Sequence, residues 1–129
     1  MRYDMFLSRV RERGEYADTR EAEDVTRAVL GLLAQRLDPG EAGDLAAQLP
    51  AQAAAALTAT PGPVETFGVH EFLDRVAAAT HASEATARWD ASAVLTTVAE
   101  AVSGGELNDV LTQLPSGYAV LFGKATLSG

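Results

Sequence analysis

Apolar residues recur at helical spacing along most of the chain. Tyr3, Phe6, Leu7 and Val10 stand at i, i+3, i+4 and i+7, which predicts a first helix over about Tyr3–Arg13 with Gly14 as its C-cap. Ala22, Val25, Val29, Leu33 and Leu37 continue the pattern on a second helix, and Leu30 and Leu32 widen its buried stripe. The spacing puts a third helix over Pro39–Gln48, with Ala42, Leu45, Ala46 and Leu49 inward, and a short fourth from Pro50 to Leu57. Beyond Thr58-Ala59-Thr60-Pro61-Gly62-Pro63, which cannot continue a helix, four more helical stretches follow. Their inward positions are Val69, Phe72, Leu73, Val76; then Ala87, Ala91, Val94, Val98, Val102; then Leu107, Val110, Leu111, Leu114; and last Tyr118, Leu121, Phe122. Strand-like alternation is absent, so the expected fold class is all-α.

The start signals agree with this division. Asp18-Thr19-Arg20-Glu21, Asp38-Pro39-Gly40-Glu41 and Ser103-Gly104-Gly105-Glu106 read as capping boxes, and Ser83 as a further N-cap. Pro39 sits at a first helical position, where its missing N–H costs nothing.

The second half of the pattern repeats the first. Gly40-Glu41-Ala42-Gly43-Asp44-Leu45-Ala46-Ala47-Gln48-Leu49-Pro50 is answered by Gly105-Glu106-Leu107-Asn108-Asp109-Val110-Leu111-Thr112-Gln113-Leu114-Pro115, with six of eleven positions identical. Phe6-Leu7 and Arg9-Val10 answer to Phe72-Leu73 and Arg75-Val76 at an offset of 66, which becomes 65 after one residue is lost near His81. The reading is therefore a single domain over 1–129, an eight-helix bundle of two tandem four-helix units, 3–57 and 67–122, about a pseudo-twofold axis. Residues 58–66 are the linker and 123–129 a flexible tail. A unit this short is marginal alone, so its leftover apolar surface is expected to bury against the other unit.

Composition narrows the chemistry. Hydrophobic content of 47% with 6% aromatics means an aliphatic, alanine-lined core. Without cysteine there is no disulfide, thiolate metal site or thiol nucleophile. The net charge of −8 and the lack of any uninterrupted basic run argue against nucleic acid and anionic membrane as partners. No signal region or spanning segment is visible, which makes a cytoplasmic protein the expectation.

Catalytic geometry is not evident. His70, Asp74 and His81 have spacing for a two-His-one-carboxylate site only if one helix runs through all three, and His81 lies near a helix end. Glu71 with Arg75, and Glu84 with Arg88, are ordinary i, i+4 pairs. No serine sits in a nucleophile elbow, and Gly104-Gly105 lacks P-loop spacing. Neither metal nor cofactor is expected. Glu41 and Glu106 are accounted for by capping and the helix dipole. Gln48 and Gln113 either bond across a helix junction or join Asp44 and Asp109 in a polar recognition surface presented twice. Trp89, at the position matched by Asp24 in the first unit, either fills the groove between units or serves as an exposed anchor for a partner.

The twin Phe-Leu-x-Arg-Val and Gly-Glu…Gln-Leu-Pro segments resemble a family of small all-helical bacterial proteins classed as a domain of unknown function, from about Tyr3 to Phe122. The resemblance implies a helical fold and brings no activity, cofactor or catalytic residue. The functional expectation is a non-catalytic protein-interaction module, an adaptor or regulator acting alone or as a homodimer. The alternative is a small-molecule binding bundle with an apolar pocket between the units.

Overall fold

The computed structural model describes residues 1–59 and 62–124, and these form eight helices with no strand among the described residues. The helices are α1 (Tyr3–Gly14), α2 (Thr19–Arg36), α3 (Pro39–Ala47), α4 (Ala51–Thr58), α5 (Val69–Thr80), α6 (Glu84–Ala101), α7 (Gly104–Thr112) and a terminal 3-10 helix, Ser116–Phe122. The all-α eight-helix expectation holds. Lengths recur in order, 12, 18 and 9 residues for α1 to α3 and again for α5 to α7.

The core is continuous between the halves. α2 and α6 touch each other at the centre; α1 packs on both α2 and α6, and α5 on both α6 and α2. Each half thus buries its first helix partly against the other half's second. Phe6 and Phe72 are fully buried at matching positions, among Val10, Leu30, Leu33, Leu73, Val76, Val94, Leu95 and Val98. Burying a side chain of this size stabilises by about 1.5–3 kcal/mol. At the opposite end α3 meets α7, so the third helices of the two halves also face one another.

Three local expectations change. Gly14 is not the C-cap but the last residue of α1; Glu15 takes the left-handed conformation, φ 55°, as His81 does after α5. Gly14 is needed for another reason, because a Cβ there would lie 2.1 Å from the Tyr16 ring. The eighth helix is 3-10 rather than α. With three residues per turn, Tyr118 stacks over Leu121 and Ala119 over Phe122, all buried, while Val120 points outward. α4, by contrast, is built from helix-favouring alanines. Glu84, expected opposite Arg88, stands 3.3 Å from His70 Nδ1.

The connection after α4 is held down. Arg36 Nε and the Tyr118 hydroxyl both donate to the Phe67 carbonyl, and the Glu65 amide donates to the Gln35 carbonyl. Phe67 packs against Phe72, and the Arg75 guanidinium lies over the Phe67 ring at 4.0 Å while bonding Glu65, Glu71 and Gln35. Residues 60–61 of the expected linker and 125–129 of the expected tail lie outside the described residues. Among the described residues no helix is long and apolar enough to cross a membrane.

Candidate functional site

Two regions where the halves meet hold all five residues singled out in the sequence. The first is a cleft at the ends of α1 and α5. Helix α1 stops where Glu15 turns left-handed, α5 where His81 does, and the following turns lead into α2 and α6. The space between has a volume of about 590 Å³. Trp89 forms one wall. Its indole N–H donates to the Gly14 carbonyl at 3.0 Å, yet half of the residue remains exposed. Trp89 thus stands in the groove between the halves, its indole pinned to the other half with half of the residue exposed.

Four carboxylates, Glu15, Glu21, Asp24 and Asp90, share the lining with Tyr16 and one histidine, His81, among small and apolar residues that include Val25, Ala28, Ala79 and Ala82. Asp90 is 4% exposed and accepts a 2.6 Å hydrogen bond from the Tyr16 hydroxyl. Burial raises the Asp90 carboxyl above its ordinary range, the Tyr16 hydrogen bond pulls it back, and Glu21 raises it again. The Tyr16 phenol is raised too, first by burial and then by Asp90. Sequence reasoning missed Tyr16–Asp90 because the repeat hides it. The registers place Ala82 and Val25 at the matching positions, an apolar pair where this one is polar.

The second region is the α3–α7 junction, which brings Asp44, Gln48, Asp109 and Gln113 to one place. The glutamines act reciprocally: Gln48 Oε1 accepts from the Ser103 amide at 2.8 Å, and Gln113 Oε1 from the Asp38 amide at 3.1 Å. Each caps the first amide of the other half's third helix. In a capping box that amide belongs to the glutamate at the third helical position. Glu41 and Glu106 are therefore not spent on capping as the sequence suggested. Asp38 and Ser103 do accept backbone N–H groups, from Gly40 and Glu106.

The freed carboxylates turn toward one another. Glu41, Asp44 and Glu106 each offer an oxygen within 4.8 Å of the other two. Gln113 Nε2 lies 3.5 Å from Glu41 Oε1, while Glu41 Oε2 and Glu106 Oε2 are buried with no hydrogen-bond partner. Burial, then Glu41, and then the charges of Asp44 and Asp109 push the Glu106 carboxyl up to about 8. The signal available in the sequence was the glutamate's presence in both copies, but capping explained each copy singly. The histidines do not join any such group: His70 is exposed beside Glu84, and His81 caps α5.

The sequence matches a known family along nearly its whole length. The chain belongs to the uncharacterized conserved protein family DUF2267, whose model covers residues 3–121, from the start of α1 into the terminal 3-10 helix. No curated protein matches it.

Proposed function

We propose that this protein is a non-catalytic interaction module that holds a basic segment of a protein partner in the cleft beside Trp89. One observation carries the reading: a half-exposed indole, fixed by its own N–H, stands over a cleft ringed by four carboxylates. An arginine or lysine side chain entering there meets an aromatic face and opposite charge together. A cation over an indole is worth about 0.5–2 kcal/mol, more as water is excluded. The overall charge of −8 would draw such a segment in and make its binding salt-dependent. Against catalysis as the role of this site, its one buried carboxylate, Asp90, is already engaged by Tyr16.

A small-molecule reading is favoured by the volume, which falls in the range of about 300–1,000 Å³ common for ligand pockets. The lining, apolar residues with four carboxylates among them, suits an organic cation that carries an apolar part.

Trp89 is the sole tryptophan, so its fluorescence reports the cleft directly. A short arginine-containing peptide should change that emission saturably, and its citrulline counterpart should not. Asp24→Asn should weaken the peptide by about 3- to 10-fold, as loss of one partly exposed charge does. A free arginine amide binding as well as the peptide would favour the small cation. Equal responses to the charged and uncharged peptides, or no response to any of them, would refute the cleft as a cation site.

A further inference from the structure

The junction of α3 and α7 holds a group that the proposed interaction role does not use. Glu106 is only 8% exposed, and its Oε2 has no hydrogen-bond partner. Glu41 Oε2 is likewise buried and unpartnered. Ionised oxygens withdrawn from water cost several kcal/mol unless something neutralises them. The backbone donors that would ordinarily do so are taken, since the Asp38 and Ser103 amides bond to Gln113 and Gln48. A single shared proton would bridge only the Glu41–Glu106 pair, and their neighbour Asp44 is open to water. A divalent cation takes all three oxygens and cancels two charges.

We propose that the α3–α7 junction binds one divalent cation of the oxygen-preferring class, Ca²⁺, Mg²⁺ or Mn²⁺, with Glu41, Glu106 and Asp44 as its protein ligands. The donor set fixes the class, because three carboxylates with no imidazole or thiolate suit hard cations. The spacing is compatible: oxygens on opposite sides of a Ca²⁺ ion lie about 4.6–5.2 Å apart, so three within 4.8 Å of one another fit one coordination sphere. Asp44 is exposed, which leaves a route for the ion and room for waters to complete the shell. Gln113, beside Glu41 Oε1, orients that carboxylate from behind, and Asp109 adds negative field at Glu106. Glu41 and Asp44 come from α3 and Glu106 from α7, so the ion ties the two halves together.

The test uses the full chain freed of metal by chelator, with Mn²⁺ as probe. The resonance of free Mn²⁺ should disappear until one ion is bound per chain, with a dissociation constant of about 10⁻⁵–10⁻³ M. Ca²⁺ or Mg²⁺ should compete for it, and saturation should raise the melting temperature by mass action. Glu106→Gln should abolish the binding. Should that variant fail to fold, Asp44→Asn leaves the buried part intact and should weaken Mn²⁺ at least about tenfold, whereas Asp4→Asn, at the exposed start of α1, should not. Mn²⁺ that stays free throughout, or binds Asp44→Asn and the parent equally, would overturn the proposal.

Discussion

The cleft and the junction are both acidic seams between the halves of one chain, but they are built oppositely. At the junction a residue meets its own counterpart: Glu41 faces Glu106, and Gln48 and Gln113 exchange the same hydrogen bond. At the cleft the residues at matching register differ, Trp89 against Asp24 and Asp90 against Val25. At the junction one oxygen each of Glu41 and Glu106 is sealed from water beneath an exposed rim, whereas the cleft is open, with an indole half in solvent. Matched positions join the halves at the junction, and unmatched ones both bridge the cleft, through Trp89 and Tyr16, and shape its surface. On the function proposed above, recognition falls to the unmatched positions of the cleft, which is why the Gly-Glu…Gln-Leu-Pro segment, though prominent in sequence, is not where we place the partner.

The largest effect should come from the divergent seam. Tyr16→Phe removes the 2.6 Å hydrogen bond to Asp90 and leaves a nearly buried carboxylate without that donor. A hydrogen bond to a charged group contributes about 1.5–3 kcal/mol, and a loss of that size is expected in urea unfolding near neutral pH. The bond holds the Asp90 carboxyl lower than burial alone would, so its contribution is present when Asp90 is ionised and lost as pH falls through its titration. The gap between Tyr16→Phe and the parent should therefore close in acid. Tyr3→Phe is the control; it removes a 2.7 Å bond to Glu23 at the partly exposed edge and should cost less. Equal losses for both would mean the cleft is not specially built.

The helices and their order were legible in the sequence because periodicity and caps are local. Asp18 and Ser83 cap where expected, accepting from Glu21 and Thr86, and Glu23 pairs with Arg27. The site was less legible because its parts are local only in space. Tyr16 and Asp90 lie 74 residues apart and match nothing in each other's copy. Arg36 and Tyr118 converge on the Phe67 carbonyl from two distant segments, so the connection looked like a bare linker. Glu41 and Glu106 were visible, but a capping glutamate and a freed one have the same spacing. Only the glutamines, reaching across from the other half, decide between them.

A smaller effect is expected at the junction, with the opposite pH dependence. The Glu106 carboxyl is raised from 4.5 to about 8, so the folded state favours its protonated form. Stability from this group is fully present below about 4.5 and is lost as pH rises toward 8. In chelator-treated protein, Glu106→Gln should therefore match the parent near pH 4.5. By pH 8 it should exceed it by about 1–2 kcal/mol, since solvent screening trims the full linkage. A variant less stable than the parent at pH 8 would mean that the carboxylates do not oppose each other. That result would also separate this seam from the Tyr16–Asp90 one, whose contribution grows with pH.

The smallest effects test the reciprocity itself. Gln48→Ala and Gln113→Ala each free one amide, that of Ser103 or Asp38, at an exposed helix start where water can replace the lost acceptor. Each should cost about 0.5–1.5 kcal/mol in urea unfolding. Gln113→Ala should cost slightly more, because Gln113 also reaches Glu41. The bonds lie on opposite helix starts and share no atom, so the double variant should equal the sum to within about 0.5 kcal/mol. Were the glutamines a recognition surface, either variant would leave stability unchanged and weaken peptide binding. If they hold the halves together, stability falls while the Trp89 fluorescence response to the arginine peptide stays as it was. The pair of measurements thus asks directly whether the repeated motif holds the halves together or presents a surface to a partner.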